Sequence, residues 1–270
     1  MSNLLLILLT TTIFFPLAQG VQGIRQKGSV ALTAPECIDV QNMGGWWSYT
    51  WTPTPPSCPN IEMVPMIWGR TQFGQAALGN SPYLLGFNEP DRPDQANMTP
   101  DEGAQFWHEW IEGRYPGRLL VTPAATDPGW LRAWRTAYES RYGKSPEMVV
   151  IGAHVYRRSL SEARATLAEF VQISREWGLP LWITEWAFVP CWMPGGSQKI
   201  ALDYAQQFAN DLDATPEVAR WAWFGSRFDG SEQWWPASWP MPDCSTSLFS
   251  TMDGQPTAWG QWALARVVTP

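Results

Sequence analysis

Tyr83-Leu84-Leu85-Gly86-Phe87-Asn88-Glu89-Pro90-Asp91 and Leu181-Trp182-Ile183-Thr184-Glu185-Trp186-Ala187 share one pattern, a short apolar run that ends on a glutamate. A run of this length without strict alternation has the character of a parallel strand covered on both faces. Four more such runs lie along the chain, at Glu62 to Trp68, Leu119 to Thr122, Met148 to Val155 and Arg220 to Phe224. Gly28 to Leu32 and Gly45 to Trp51 are weaker candidates for two earlier strands, which makes eight in all.

Helix signals fall between the runs. Thr99-Pro100-Asp101-Glu102 combines a capping box with proline in the first turn, and places Phe106, Trp107, Trp110 and Ile111 on one face. A second helix is expected from Ser159 or Ser161 to a stop at Gly178, burying Leu167, Phe170, Val171 and Trp177. A third is expected from about Ser197, with Ile200, Tyr204, Phe208 and Leu212 repeating every four residues. Strands alternating with helices make an α/β fold, and eight of them favour a single-domain (β/α)8 TIM-type barrel.

The length of 270 residues suits one such domain. Residues Met1 to Gly20 carry no charged side chain, are apolar from Leu4 to Leu17 apart from threonines, and end on small residues at Ala18 and Gly20. They read as a secretory signal peptide, which leaves 21–270 as the barrel domain and an extracellular or wall-associated location. No later stretch is apolar for long enough to span a bilayer.

The formal net charge of −7 offers no positive field for a phosphate backbone or an anionic membrane, which argues against nucleic acid as a partner. Nineteen tryptophans exceed what a core of this size needs, and Trp pairs a broad apolar face with one polar handle, a match for sugar rings. Cys37, Cys58, Cys191 and Cys244 make an even set for an oxidising compartment, with three possible connectivities. Pairing Cys37 with Cys58 and Cys191 with Cys244 would each tie neighbouring loops. No CxxC or HExxH spacing occurs, and the histidines are His108 and His154, so neither a metal nor an organic cofactor is expected.

In a barrel of parallel strands the C-terminal strand ends converge on one face, which brings Glu89 and Glu185 together. One glutamate after a strand is ordinarily a solvated loop charge. Two of them, set among aromatic residues, match glycoside hydrolysis, where one carboxyl protonates the leaving oxygen and the other attacks or activates water. Asn88 could hold a sugar 2-hydroxyl. His154 and Tyr156 fall on the same side of their strand. His108 lies on a helix and reads as structural. Trp51, Trp68, Trp186 and Trp223, at strand ends, are the candidate sugar platforms, while Trp107, Trp110 and Trp177 belong to helix faces. Trp234, Trp235 and Trp239 sit in a Pro-rich loop after the last strand.

The set of Asn-Glu-Pro-Asp at 88–91, Ile-Thr-Glu-Trp-Ala at 183–187, Val-Pro-Met-Ile-Trp-Gly at 64–69 and Trp-Ala-Trp-Phe-Gly at 221–225 resembles glycoside hydrolase family 128, the β-1,3-glucanases. The resemblance covers Gly28 to Trp262. It implies a (β/α)8 barrel and a retaining mechanism with Glu89 as acid/base and Glu185 as nucleophile, roughly 5–5.5 Å apart. It also implies a β-glucan substrate and gives His154 a role in orienting sugar hydroxyls or Glu185; the chain is expected to act as a monomer. Tyr49-Thr50-Trp51 departs from the family's Tyr-Asn-Trp, Trp186 stands for Phe, and Val155 for Trp. Three other readings stay open: a hydrolase of another β-glycan (mixed-linkage glucan, cellulose, mannan or β-1,6-glucan), a secreted glucan-binding sensor without turnover, or net transglycosylation through the same covalent intermediate.

Overall fold

The computed structural model describes residues 27–33, 36–188, 198–227, 247–248 and 254–268. Among them are the eight strands β1 (Gly28–Ala31), β2 (Trp47–Ser48), β3 (Glu62–Met63), β4 (Tyr83–Leu85), β5 (Leu119–Val121), β6 (Ile151–Arg157), β7 (Leu181–Phe188) and β8 (Val218–Phe224). The helices are α1 (Cys37–Asn42), α2 (Pro100–Trp110), α3 (Pro128–Tyr142), α4 (Leu160–Trp177), α5 (Gln198–Ala214) and α6 (Ala258–Val268). Every ladder is parallel: β1 with β8, β8 with β7, β7 with β6, β2 with β3, and β4 with β5. Single bridges carry the contact onward, Met66 to Leu85 beside β4, and Val121 to Val150 and Ala125 to Ala153 between β5 and β6. The Leu32 amide donates to the Tyr49 carbonyl at 3.1 Å, joining the ends of β1 and β2.

The helices begin and end where capping chemistry requires. Thr99 and Glu102 form a reciprocal capping box at α2, Ser159 caps α4, and Gly178 closes α4 in the left-handed conformation at φ 66°. Helix α3 was not among the expected elements, although Asp127 caps it, Pro128 opens it and Gly143 ends it at φ 66°. Its buried side is Trp130, Leu131, Trp134 and Tyr138, interleaved with three arginines and Glu139 that mask the apolar spacing. In α5 the expected face is corrected at one position. Ile200 is 62 % exposed, and Ala201, Tyr204, Ala205, Phe208 and Leu212 form the buried stripe instead.

Two apolar layers result. One set of side chains, including Ala31, Trp47, Tyr49, Val64, Met66, Leu85, Val121, Val150, Trp182 and Ala222, packs on the inner side of the strands. The other packs strands against helices. At the strand starts the inner layer is sealed by Arg220, whose guanidinium lies 4.3 Å from the Trp46 ring, 5.3 Å from Trp47, 5.1 Å from Tyr83 and 4.0 Å from Trp182. Both of its terminal nitrogens donate to Glu62, at 3.1 and 3.0 Å. A buried charge is tolerated when it is paired in this way.

The Cys37–Cys58 disulfide is present with 5.4 Å between Cα atoms, and ties α1 to the segment between β2 and β3. Cys191, Cys244, Trp234, Trp235, Trp239 and residues 1–20 fall outside the described residues. Among the described residues no helix is long and apolar enough to cross a membrane. Removing the Arg220 side chain leaves Glu62 unpaired in a largely buried site. Arg220→Ala is therefore expected to lower unfolding free energy by about 3–5 kcal/mol, measured by denaturant titration, while Arg220→Met with Glu62→Gln loses less.

Candidate active site

Strand β7 does not alternate regularly. Ala153 pairs with Ile183, but the next residue of β6, His154, pairs with Glu185, so β7 carries one extra residue at Thr184. A bulge of this kind re-aims the side chains that follow. Trp182 belongs to the inner layer and Ile183 to the outer. After the extra residue, Glu185 takes the inner side opposite His154, and Trp186 takes the outer.

Glu89 reaches the same place from β4. The Asn88 amide donates to the Trp68 carbonyl and the Glu89 amide to the Ala124 carbonyl, each at 2.9 Å. These bonds hold Glu89 at φ 40°, a left-handed conformation that costs a non-glycine residue about 1–3 kcal/mol and is found at functional sites. Upstream, Gly86 lets β4 approach β5. A Cβ there would lie 2.7 Å from the Trp107 ring and 2.9 Å from the Val121 carbonyl.

The two glutamates meet around His154. Its Nδ1 lies 2.8 Å from Glu89 Oε1 and 3.4 Å from Glu185 Oε2. One ligand atom from each of the three residues lies within 4.8 Å of the others. All three are buried. Glu185 also receives three neutral donors: Tyr49 Oη and Trp51 Nε1 both donate to Oε1 at 2.7 Å, and Tyr156 Oη donates to Oε2 at 2.7 Å. Trp51 is held at φ 53°, and its ring meets Tyr49 and Phe224 edge to face.

Burial raises the Glu89 pKa. The hydrogen bond and charge of His154 oppose that rise, and the charges of Glu185 and Asp91 add to it, leaving the carboxyl above its ordinary value of 4.5. For His154 burial acts downward, but Glu185 and Glu89 outweigh it and the imidazole is raised above 6.5. Burial, then the neighbouring Glu185 charge, lifts Tyr49 and Tyr156 well above 10, so both phenols remain donors at neutral pH. Two carboxylates and an imidazole also form the donor set of a metal site. Here those atoms are already engaged with one another and with Tyr49, Trp51 and Tyr156.

The expected site residues divide. Asn88, His154, Tyr156 and Trp51 gather with Glu89 and Glu185, and Trp68, half-buried, adjoins them through its backbone. Asn88 Nδ2 donates to Gln95 at 3.0 Å, which leaves Asn88 Oδ1 buried without a partner among the described residues. Trp186 and Trp223 are corrections. Both are fully buried in the outer layer, Trp186 against Phe208, Trp221 and Trp223, and Trp223 against Trp259 and Trp262. Neighbours on a strand face opposite sides, so an inward Glu185 turns Trp186 outward. His108 lies 3.1 Å from the Tyr138 hydroxyl and stacks on Tyr142 between α2 and α3, a structural position.

Three contributors were not anticipated. Tyr49 was noted only for its motif, yet it shares the inner side of its segment with Trp47 and Trp51. Phe224, rather than Trp223, ends β8 against Trp51 and Tyr156. Gln72 accepts from the Trp68 amide at 2.7 Å and donates to the Trp51 carbonyl at 3.0 Å, so one amide positions both tryptophan backbones. No pattern in the local sequence marks it.

The profile of the glycosyl hydrolase catalytic core family matches residues 30–263. No curated protein matches the chain by sequence. Among solved structures, the chain is similar to a family 128 (subgroup II) endo-β-1,3-glucanase from Pseudomonas viridiflava, with TM-score 0.64 and 28% identity over 88% of this chain and 97% of that one. A subgroup I endo-β-1,3-glucanase from Amycolatopsis mediterranei gives TM-score 0.69 and 24% identity, covering 89% and 99%. A subgroup III curdlan-specific exo-β-1,3-glucanase from Blastomyces gilchristii, in complex with glucose, gives 0.66 and 21%, covering 88% and 97%.

The charge balance around His154 is directly measurable. Its imidazole is expected to titrate above 6.5 by NMR, and to fall in Glu89→Gln and in Glu185→Gln, because burial then acts with less opposition. An unchanged midpoint in both variants would contradict this electrostatic description.

Proposed function

Because the chain belongs to the glycosyl hydrolase catalytic core family and is a glycoside hydrolase, we propose that it cleaves β-1,3-glucan with retention of configuration, using Glu89 as acid/base and Glu185 as nucleophile. The observation that carries this reading is the pair of buried carboxylates, Glu89 after β4 and Glu185 within β7, with oxygens no more than 4.8 Å apart. Retaining enzymes hold their carboxyl groups roughly 5–5.5 Å apart, whereas inverting ones leave room for a water between them.

In the first step Glu89 gives its proton to the glycosidic oxygen as a Glu185 oxygen attacks the anomeric carbon. The C–O bond to the leaving sugar breaks and a glycosyl ester forms on Glu185. In the second step Glu89, now a carboxylate, takes a proton from water, which attacks the same carbon and releases Glu185. The raised pKa of Glu89 suits a group that must start protonated. Tyr49, Trp51 and Tyr156 hold the Glu185 carboxylate in one orientation, so attack needs no search over rotamers.

The wider reading follows the same support. The order in which first strand pairs with last, and sequential neighbours touch by ladders or single bridges, supports a closed (β/α)8 barrel. The half-buried rings of Trp51 and Trp68 suit sugar faces, and the unpaired Asn88 Oδ1 suits a sugar hydroxyl. Similar structures include endo- and exo-β-1,3-glucanases, one in complex with laminarihexaose, and endo action on the polymer is the form proposed here. Secretion after loss of Met1 to Gly20 accords with the Cys37–Cys58 disulfide, and the chain is proposed to act as a monomer.

The test is reducing-end release from β-1,3-, β-1,4-, mixed-linkage and β-1,6-glucans. Cleavage is expected wherever β-1,3 bonds occur and is lost in Glu185→Gln. Glu89→Gln is expected to spare attack on aryl glycosides with very good leaving groups, which need no proton. Silence of the wild type on β-1,3-glucan with retained binding would favour a sensor.

A further inference from the structure

We propose that Arg157, acting with Asp91, is a positioning residue that fixes the spacing between Glu89 and Glu185. The inference rests on the reading of those two glutamates as the catalytic pair. It comes from a continuous set of hydrogen bonds running behind the site. Asp91, two residues past Glu89, accepts from the Thr126 amide at 3.0 and 3.1 Å and from the Thr126 hydroxyl at 2.5 Å. The Thr126 carbonyl accepts from Arg157 Nη2 at 2.8 Å, and Arg157 Nη1 donates to the Tyr156 carbonyl at 2.9 Å. Tyr156 Oη then donates to Glu185 Oε2. One guanidinium thus ties the loop that follows Glu89 to the residue that grips Glu185.

The third nitrogen of Arg157 anchors this tie to the helix layer. Its Nε donates to Thr166 Oγ1 of α4 at 2.8 Å. Three donors leaving a rigid plane in set directions are the property that separates arginine from lysine, whose single ammonium on a flexible stem cannot span the same three acceptors in that geometry. Arg157 itself touches neither Glu89 nor Glu185 in any hydrogen bond among the described residues. Its effect on them is through Tyr156, Thr126 and Asp91.

Spacing matters because misplacement of reacting groups by about 1 Å can cost up to a hundredfold in rate. It also sets the charge environment of Glu89, which faces His154 and Tyr156 from β6, Glu185 from β7, Tyr49 after β2 and Asp91 on its own loop. If the tie loosens, Glu89 gains solvent and moves from the Glu185 charge, and both changes lower its pKa.

The experiment compares wild type, Arg157→Met, Arg157→Lys and Asp91→Asn on soluble β-1,3-glucan across pH, with folding followed by thermal melts. Arg157→Met is expected to lower kcat about tenfold with little change in KM, and to shift the basic limb of kcat/KM to lower pH. Arg157→Lys is expected to behave like Arg157→Met, since charge alone does not make the tie. Should Arg157→Met fail to fold, Arg157→Lys, which leaves the Asp91 charge beside Glu89 in place, carries the same two readouts. A loss of fold alone would scale the profile without moving it. Variants that fold and superimpose on the wild-type pH profile would overturn the proposal. An inactive wild type would instead overturn the reading of the site on which it rests.

Discussion

One extra residue in β7 decides where the Glu185 carboxylate sits. Without the irregularity at Thr184, the alternation set by Trp182 would send Glu185 to the helix layer and Trp186 into the interior. With it, Glu185 lies opposite His154 and within reach of donors from the segments after β2 and along β6. The ladder gives up regular pairing over that step, and the bonds from Tyr49 to both the Thr184 carbonyl and the Glu185 carboxylate offset the loss. The rest of the site depends on this turn of one side chain, because Glu89, His154 and Tyr156 are arranged around it.

The sealing ion pair and the candidate site lie at opposite ends of the strands. At the strand starts, Arg220 and Glu62 close the inner layer with a bidentate ion pair inside a box of aromatic rings. At the other end, Trp51 and Glu89 hold left-handed backbone angles, and Asn88 Oδ1 and His154 Nε2 are buried without partners among the described residues. Such features are unfavourable for folding taken alone. They persist where surrounding structure over-determines them, and here the Cys37–Cys58 disulfide, the Gln72 amide and the Asp91–Thr126–Arg157 bonds supply that determination.

Much of this was written in the local sequence. Apolar runs located all the strands, a capping box located α2, a serine start and Gly178 located α4, and a carboxylate at the end of two runs located the candidate site. What escaped reading has physical causes. Helix α3 alternates large buried rings with charged residues, so its apolar stripe is diluted, though Asp127-Pro128 and Gly143 marked its ends. Their place along the strands makes Trp186 and Trp223 look like sugar platforms, but which side each ring takes depends on register, and in β7 on a bulge that no residue type announces. The abundance of tryptophan pointed to carbohydrate, yet Trp47, Trp107, Trp134, Trp182, Trp186, Trp221, Trp223 and Trp259 are fully buried. Gln72 and Arg157 act on residues distant in sequence, and only the fold brings their partners within reach.

On the proposed mechanism Glu185 becomes covalently bonded to sugar. Incubation with a 2-deoxy-2-fluoro β-1,3-glucosyl fluoride slows the second step and traps that ester, which intact-protein and peptide mass spectrometry can read. A mass increase of one glycosyl unit, confined to the peptide that contains Glu185, is the expected result. Turnover of β-1,3-glucan without any such adduct, and with first release of the α-anomer, would contradict it.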